Sequence, residues 1–386
     1  MPSNPVVVAV GDIACPAGSS VTSGSCQQSA TELIANKQNP NAVFVLGDNQ
    51  YEDGTYGEYT GLGAYGDTWG VFNPIVDPVP GNHEYSTAGA AGYFQYFGAR
   101  ANPENTPGGY YSFNLGNWHV VALNSNCTDS DPACKDAVAG GTTSAQTSWL
   151  QSDLAANRSA CVLAMWHHPA FSAGSIGNNP NVGPLWDALY AAHADVVLNG
   201  HDHVYERYTQ LNPAGAADPT GIREFVVGTG GESLFSVSNP PATLQKYDYK
   251  DFGVLKLTLH SSSYDWEFIT TSGTVFDSGT TPCHGPGSGP ASAVAAREIR
   301  APGVPGPSGP QLSFDARPLS PPRTAVVRRG LPVAIHCSRG CDVTVTAWLR
   351  NGRRLRRIAS FYETESQITK PYSQILLRLP ARSLQG

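Results

Sequence analysis

The chain has 386 residues and a formal net charge of −7, with 40% hydrophobic and 14% charged residues. That length and apolar content exclude wholesale disorder and predict one large domain with a smaller one beside it. No apolar run approaches the ~18 residues that a membrane-spanning helix needs, so no membrane span is expected.

Read from its start, the chain shows no charged leader, and an exported protein would correspond here to a mature form with a restored Met. A repeated pattern then runs through residues 1–260. A short apolar run, mostly Val-rich, ends abruptly in Gly, Asn, Asp or His. Val6–Val10 leads to Gly11-Asp12. A helix is predicted over residues 27–38, with Ala30, Leu33 and Ile34 on one face. Ala42–Leu46 leads to Gly47-Asp48, followed by a Gly- and Tyr-rich loop over 51–69. Residues 76–80 lead to Gly81-Asn82-His83, with Asp77 the one polar interruption, and residues 120–123 lead to Asn124. Ala145–Ala156 reads as a helix with Trp149, Leu150 and Leu154 together. Residues 162–166 lead to His167-His168. A helix over 185–192 follows Pro184, a favourable first-turn residue. Residues 196–198 lead to Asn199-Gly200-His201.

Wholly apolar runs of this length read as strands buried on both faces. Their alternation with helices predicts an α/β fold. In open sheets of this kind ligands gather beyond the carboxyl ends of the strands, and the metal-capable residues fall at those ends. After residue 222, Ile222–Val227 and residues 254–260 and 266–269 follow one another without helices, and are expected to form a second sheet packed on the first. Residues 1–283 would thus be one domain. Residues 284–325, rich in Pro, Gly, Ser and Ala, read as a linker. Residues 326–386 read as a small β-sandwich-like accessory module, truncated near a strand, with strands over 333–336, 343–349 and 375–379.

Charge is uneven. Residues 285–386 carry 15 basic and 5 acidic residues, +10, which leaves −17 for the rest. The acidic part suits cationic metals. The basic part, with its Arg run over 353–357, reads as a solvated face or a weak contact for an anionic surface. Eight cysteines occur without any Cys-x-x-Cys. The neighbours Cys15/Cys26, Cys127/Cys134 and Cys337/Cys341 read as disulfides and hence an oxidising compartment, whereas Cys161, opening an apolar strand, reads as a buried thiol.

Collected at the strand ends are Asp12, Asp48, Tyr51, Asn82, His83, His167, His201 and His203. This is a set of oxygen and imidazole donors without thiolate, suited to iron, zinc or manganese. One ion needs about four ligands, so the set is large enough for two sharing a carboxylate, as in phosphate-ester hydrolysis.

Gly11-Asp12, Gly47-Asp48-Asn49-Gln50-Tyr51, Gly81-Asn82-His83-Glu84, His167-His168-Pro169 and Gly200-His201-Asp202-His203 resemble the calcineurin-like metallophosphoesterase pattern in order and spacing. Tyr51 three residues after Asp48, and His203-Val204-Tyr205-Glu206-Arg207, resemble its purple acid phosphatase branch, as in bacterial secreted phosphatases often labelled alkaline. Ala14 stands where many relatives carry a further His ligand. The resemblance implies an α/β/β/α sandwich and hydrolysis of phosphate monoesters by a metal-bound hydroxide. Asp12, Tyr51 and His203 would bind one metal and Asn82, His167 and His201 the other. Asp48 would bridge them, and His83 would contact the phosphate or protonate the leaving group. Iron with zinc, manganese or a second iron is the implied pair.

The same core would serve a phosphodiesterase or nucleotidase, and a non-catalytic surface-binding protein is the reading from another class. His168 is open between an orienting and a substrate-facing role. Glu84, Tyr85, Asp202, Tyr205, Glu206 and Arg207 are open between orienting ligands and plain structural hydrogen bonding. His119, His193 and His260 lack the strand-end context and read as structural.

Overall fold

The computed structural model of the chain describes residues 4–106, 108–128, 145–157 and 159–285, and the backbone of five short strands between 317 and 377. In chain order the first unit contains β1 (Val6–Val10), α1 (Gln28–Lys37), β2 (Ala42–Leu46), α2 (Tyr56–Tyr59), β3 (Val76–Val79), α3 (Asn82–Tyr85), α4 (Ala91–Phe97), β4 (Tyr111–Leu115) and β5 (Trp118–Ala122). It continues through α5 (Ala145–Ala156), β6 (Cys161–Met165), α6 (Gly183–Ala191), β7 (Val196–Asn199), β8 (Tyr205–Leu211), β9 (Ile222–Val227), β10 (Leu244–Asp248), β11 (Gly253–Leu259), β12 (Ser263–Thr270) and β13 (Val275–Pro282).

These strands form two sheets. One has the order β13-β12-β11-β1-β2-β3 and the other β10-β8-β9-β7-β6-β5-β4. β1, β2 and β3 run parallel, with Ala9 beside Phe44 and Leu46 beside Val79. β5, β6, β7 and β9 also run parallel, with Leu163 beside Val196 and Leu198 beside Phe225. Parallel strands are buried on both faces, which is why VVVAV, AVFVL and CVLAM contain no charge. Val7, Phe44, Leu163, Leu198, Phe225 and Leu257, drawn from both sheets, lie in one buried cluster. Each such side chain contributes roughly 1.5–3 kcal/mol on burial. On the other face of the second sheet, Leu150 and Leu154 of α5 and Leu185 and Leu189 of α6 pack on Val121, Val162 and Val197, while α1 packs on β11. The layers are therefore helix, sheet, sheet, helix.

Three expectations are corrected. The late strands do not make a sheet of their own. β9 completes the sheet of β5–β7, and β11–β13 complete that of β1–β3, because each unfinished parallel sheet has an edge to pair. On α1 the buried residues are Gln28, Thr31, Ile34 and Ala35, while Leu33 is exposed. The Thr31 hydroxyl donates to Gly230 O at 2.5 Å, which turns that face inward. Cys161 is not a thiol. It is bonded to Cys283, which joins β6 of one sheet to the end of β13 in the other. The Cys15–Cys26 disulfide is formed as read, and the other two neighbouring pairs lie outside the described side chains.

His119 is buried on β5 and bonds Asp153 of α5 at 2.6 Å. His193 follows α6 with φ 58°, and His260 bonds Asp265 at 2.8 Å. Of the aromatic loop, Tyr59, Tyr65 and Trp69 are buried in the core. No described helix is long and apolar enough to cross a membrane.

A second unit comprises residues 296–386. Its backbone forms a three-stranded antiparallel sheet of β14 (Arg317–Pro318), β15 (Leu331–Ile335) and β18 (Ser373–Leu377), and an antiparallel ribbon of β16 (Val343–Asn351) and β17 (Arg354–Glu363). Most of the stretch 284–325 lies outside the described residues.

Candidate metal centre

The parallel strands of both sheets end on one edge of the sandwich, and there the backbone turns sharply. Asp12, Asp48 and His201, each just past a strand, have φ of 60°, 47° and 71°. This left-handed region is uncommon for residues with a Cβ, though Asp and His enter it more readily than most. The turns swing the side chains back over the strand ends. At two of the neighbouring glycines the donor side chains leave no room for a Cβ. A Cβ on Gly47, at φ 89°, would stand 2.5 Å from His167 Nδ1, and one on Gly81 would overlap the Asp48 carboxylate.

The structure brings the predicted donors together in two groups. In the first, Tyr51 Oη lies 3.1 Å from Asp12 Oδ1 and 3.0 Å from His203 Nε2, and His203 Nε2 is 3.3 Å from Asp12 Oδ1. In the second, His167 Nε2 lies 3.1 Å from Asn82 Oδ1 and 3.2 Å from His201 Nδ1. Asp48 Oδ2 belongs to both, 3.2 Å from Tyr51 Oη and 3.3 Å from His167 Nε2. Bonds of 2.0–2.2 Å to one ion space its ligands by about 3–3.5 Å, so each group has the spacing of a coordination shell. Asp12, Asp48 and His167 in particular offer three buried ligand atoms within 4.8 Å of one another. The donor set fits hard or borderline divalent and trivalent ions.

His83 stands at the exposed rim, its Nε2 4.0 Å from Asp48 Oδ2 and its ring 4.3 Å from that of Tyr51. Its Nδ1 contacts Glu52 O at 2.6 Å. A carbonyl can only accept, so Nδ1 carries a proton there.

In the metal-free protein the facing acidic and imidazole groups shift one another. Burial works against the ionised Asp48, yet the facing His167 and His83 hold its carboxyl well below the usual range. Burial likewise disfavours a charged His167, but Asp48 outweighs it and raises the imidazole to about 9. Asp12 and Glu232 overcome the burial of His203 and raise it to about 10. Burial and the nearby Asp12, Asp48 and Glu232 carboxylates hold the Tyr51 phenol far above its ordinary value. Burial and the charge on His167 lower His201 to about 4.

Around the donors lies a frame of buried carboxylates. Glu84 accepts backbone N–H bonds from Asp48 (2.9 Å), Asn49 (2.8 Å) and Gly81 (2.6 Å), and the Tyr59 hydroxyl at 2.9 Å. Asp202 points away from the donors and accepts from Ser172 Oγ, Ile176 N and Gly177 N. Glu206 accepts from Ala173 N, and Arg207 pairs with Asp277, which also accepts from Tyr205 Oη at 2.7 Å. Tyr85 Oη accepts from Asn124 Nδ2 at 2.6 Å. Behind His201, the buried His168 ring stands 4.3 Å away, with Nδ1 2.8 Å from Ser125 Oγ.

Two residues escaped sequence reasoning. Glu232 and Phe235 both touch His203. The signal was there, since β9 also ends in glycines (Gly228, Gly230, Gly231) just before Glu232.

The family model described as calcineurin-like phosphoesterase matches residues 5–205. Purple acid phosphatase 22 of Arabidopsis thaliana is 28% identical over 249 residues, which is 58% of this chain and 52% of the relative. Purple acid phosphatase 15 of the same plant is 31% identical over 182 residues, 43% of this chain and 32% of the relative. The chain thus spans about half or less of the length of these relatives. Among solved structures, purple acid phosphatase PPD1 from yellow lupin superposes with a TM-score of 0.57 at 20% identity, covering 73% of this chain and 54% of that one. GAP50, the anchor in the inner membrane complex of Plasmodium, gives 0.54 at 12% identity, covering 73% and 90%. At these identities the superpositions speak for the fold.

Proposed function

The chain belongs to the calcineurin-like phosphoesterase family, and on that premise we propose that it hydrolyses phosphate monoesters at a centre of two metal ions. One observation carries the reading. Asp48 Oδ2 lies between two donor groups, 3.2 Å from Tyr51 Oη and 3.3 Å from His167 Nε2. Asp12, Tyr51 and His203 would hold one ion, Asn82, His167 and His201 the other, and Asp48 would be shared. Two bound cations would neutralise the phosphoryl oxygens and lower the pKa of a nearby water.

The chain's own groups supply the rest. Asp12 is fixed by the His201 N–H on its second oxygen at 2.8 Å, so its first oxygen is left for the ion. His167 contacts Leu46 O through Nδ1 at 2.8 Å, which directs Nε2 inward. His83 is pinned through Nδ1, so Nε2 faces the site and would carry the proton given to the leaving oxygen.

Tyr51 beside two carboxylates favours a trivalent ion in the first group, hence iron with zinc, manganese or a second iron. Elemental analysis of the isolated protein with a chromogenic monoester and the matching diester tests the proposal. Two ions per chain and faster monoester cleavage support it. Preference for the diester moves the reading to a phosphodiesterase or nucleotidase, and no hydrolysis by metal-replete protein moves it to a non-catalytic binder. A purple colour lost in Tyr51→Phe supports iron beside Tyr51, whereas an active, colourless, iron-free protein overturns that detail.

The Cys15–Cys26 and Cys161–Cys283 disulfides support an exported protein. Residues 1–283 are proposed as the catalytic domain, 284–325 as the linker and 326–386 as the accessory module. Weak contact of that module with anionic surfaces rests on its charge.

A further inference from the structure

We propose that Glu232 is the positioning residue of the first donor group, holding His203 by its side chain and Asp12 by its backbone. The inference rests on the two-metal reading above.

The chain reaches Glu232 through a tight passage. Gly231 has φ 152°, and a Cβ there would strike Gln28 at the start of α1. Gln27 N donates to Gly231 O at 2.8 Å and Cys26 N to Glu232 O at 3.1 Å. Cys26 is itself bonded to Cys15, so the disulfide loop and α1 anchor the segment. From this anchored position the Glu232 N–H donates to Asp12 O at 3.1 Å.

The side chain turns to His203. Glu232 Oε2 lies 3.3 Å from His203 Nδ1. Ser233 Oγ lies 3.1 Å from the same nitrogen and donates to Glu232 Oε2. The Phe235 ring lies flat on the imidazole, with centroids 4.0 Å apart and planes 5° apart, and Phe235 N donates to His203 O at 2.9 Å. One edge and one face of the ring are thereby fixed. Only Nε2 is left to face Asp12 Oδ1 and Tyr51 Oη, at 3.3 and 3.0 Å.

A carboxylate on the far nitrogen of a ligating imidazole fixes the tautomer, orients the ring and makes the near nitrogen a stronger donor, and its loss costs about 10–100-fold in metal affinity. Glu232 acts through His203, since its oxygen touches the nitrogen opposite the donor group. Its side chain is 24% exposed, so it is no part of the core and its truncation leaves no cavity there.

The test is calorimetric titration of the chelator-stripped full chain with Zn²⁺. The wild type should show two sites. Glu232→Ala should weaken one of them about 10–100-fold and leave the other unchanged. Glu232→Gln, which can still accept from Nδ1–H, should recover most of the loss. In a His203→Ala background Glu232→Ala should have no further effect, since the two act as one unit. Ser233→Ala should weaken the same site several-fold, and it is the readout should Glu232→Ala fail to fold. A wild type with fewer than two sites overturns the two-metal reading. Two wild-type sites that Glu232→Ala or Ser233→Ala leaves untouched, or weakens equally, overturn the role of Glu232 alone.

Discussion

The carboxylate of Glu84 receives the backbone N–H of Asp48 at 2.9 Å. That bond ties α3, which carries Asn82 and His83, to the turn that carries Asp48. Glu84 is fully buried and gathers N–H groups from Asp48, Asn49 and Gly81. Glu84→Gln replaces one acceptor oxygen by a donor and leaves at least one buried N–H unpaired, at a cost of about 1–3 kcal/mol. We expect a lower melting temperature of the metal-free protein and weaker binding at both metal sites. Unchanged values for both would show that the turns hold without it.

Asp48 and His83 should separate cleanly. Asp48→Ala removes the oxygen that lies within 3.3 Å of both donor groups, so metal content and activity should fall together. His83→Ala keeps every proposed ligand and should retain both ions while lowering kcat. Elemental analysis beside steady-state kinetics reads both. Full activity in Asp48→Ala would refute the shared-ligand role.

On the proposed two-metal reading, metal and protons would compete for the same imidazoles. In the metal-free protein His167 is raised to about 9 by Asp48 and His203 to about 10 by Asp12 and Glu232, each against the effect of burial. Groups with raised folded-state values stabilise fully below their unfolded value, ~6.5, and that contribution is lost as pH climbs through 9 and 10. Asp48 has the opposite sign, with its contribution present at neutral pH and lost below about pH 4. Chelator-treated protein should therefore lose melting temperature between pH 6.5 and 10. Metal affinity should rise over the same window, with proton release on binding. A metal affinity flat with pH would contradict this balance.

Cys161–Cys283 closes a separation of 122 residues and joins the two sheets. Asp195 clasps the same corner, accepting from Val162 N at 2.8 Å and His284 N at 2.7 Å. Replacing both cysteines by serine should cost about 2–5 kcal/mol, read as a lower denaturation midpoint. The strand ends at the metal centre are built from other contacts, so the metal stoichiometry should stay at its wild-type value.

Local pattern carried a good deal of this. The span Ala145–Ala156 is the observed α5, and Pro184 stands in the first turn of α6 as read. The strand-end rule picked out Asp12, Asp48 and His201, whose glycines and left-handed turns are written beside them in the chain, and Asn82 and His167, which follow the apolar runs of β3 and β6. It passed over Glu232, although β9 ends in the same way, because a Gly-Gly-Glu segment carries no metal-ligand signature of its own. Leu33 faces outward because Thr31 finds an acceptor in Gly230, almost 200 residues further along. Cys161 found its partner after 122 residues, beyond the reach of any spacing argument.

By itself, the sequence determined where strands stop, which donor types stand at their ends and in what order, since periodicity, turn chemistry and ligand identity are properties of neighbouring residues. Only the tertiary structure decided which sheet each late strand joined, which cysteine closed on Cys161, and that one oxygen of Asp48 lies between two donor groups. Those are pairings between segments far apart in the chain, and they are settled by the packing of two sheets against each other rather than by anything adjacent residues encode.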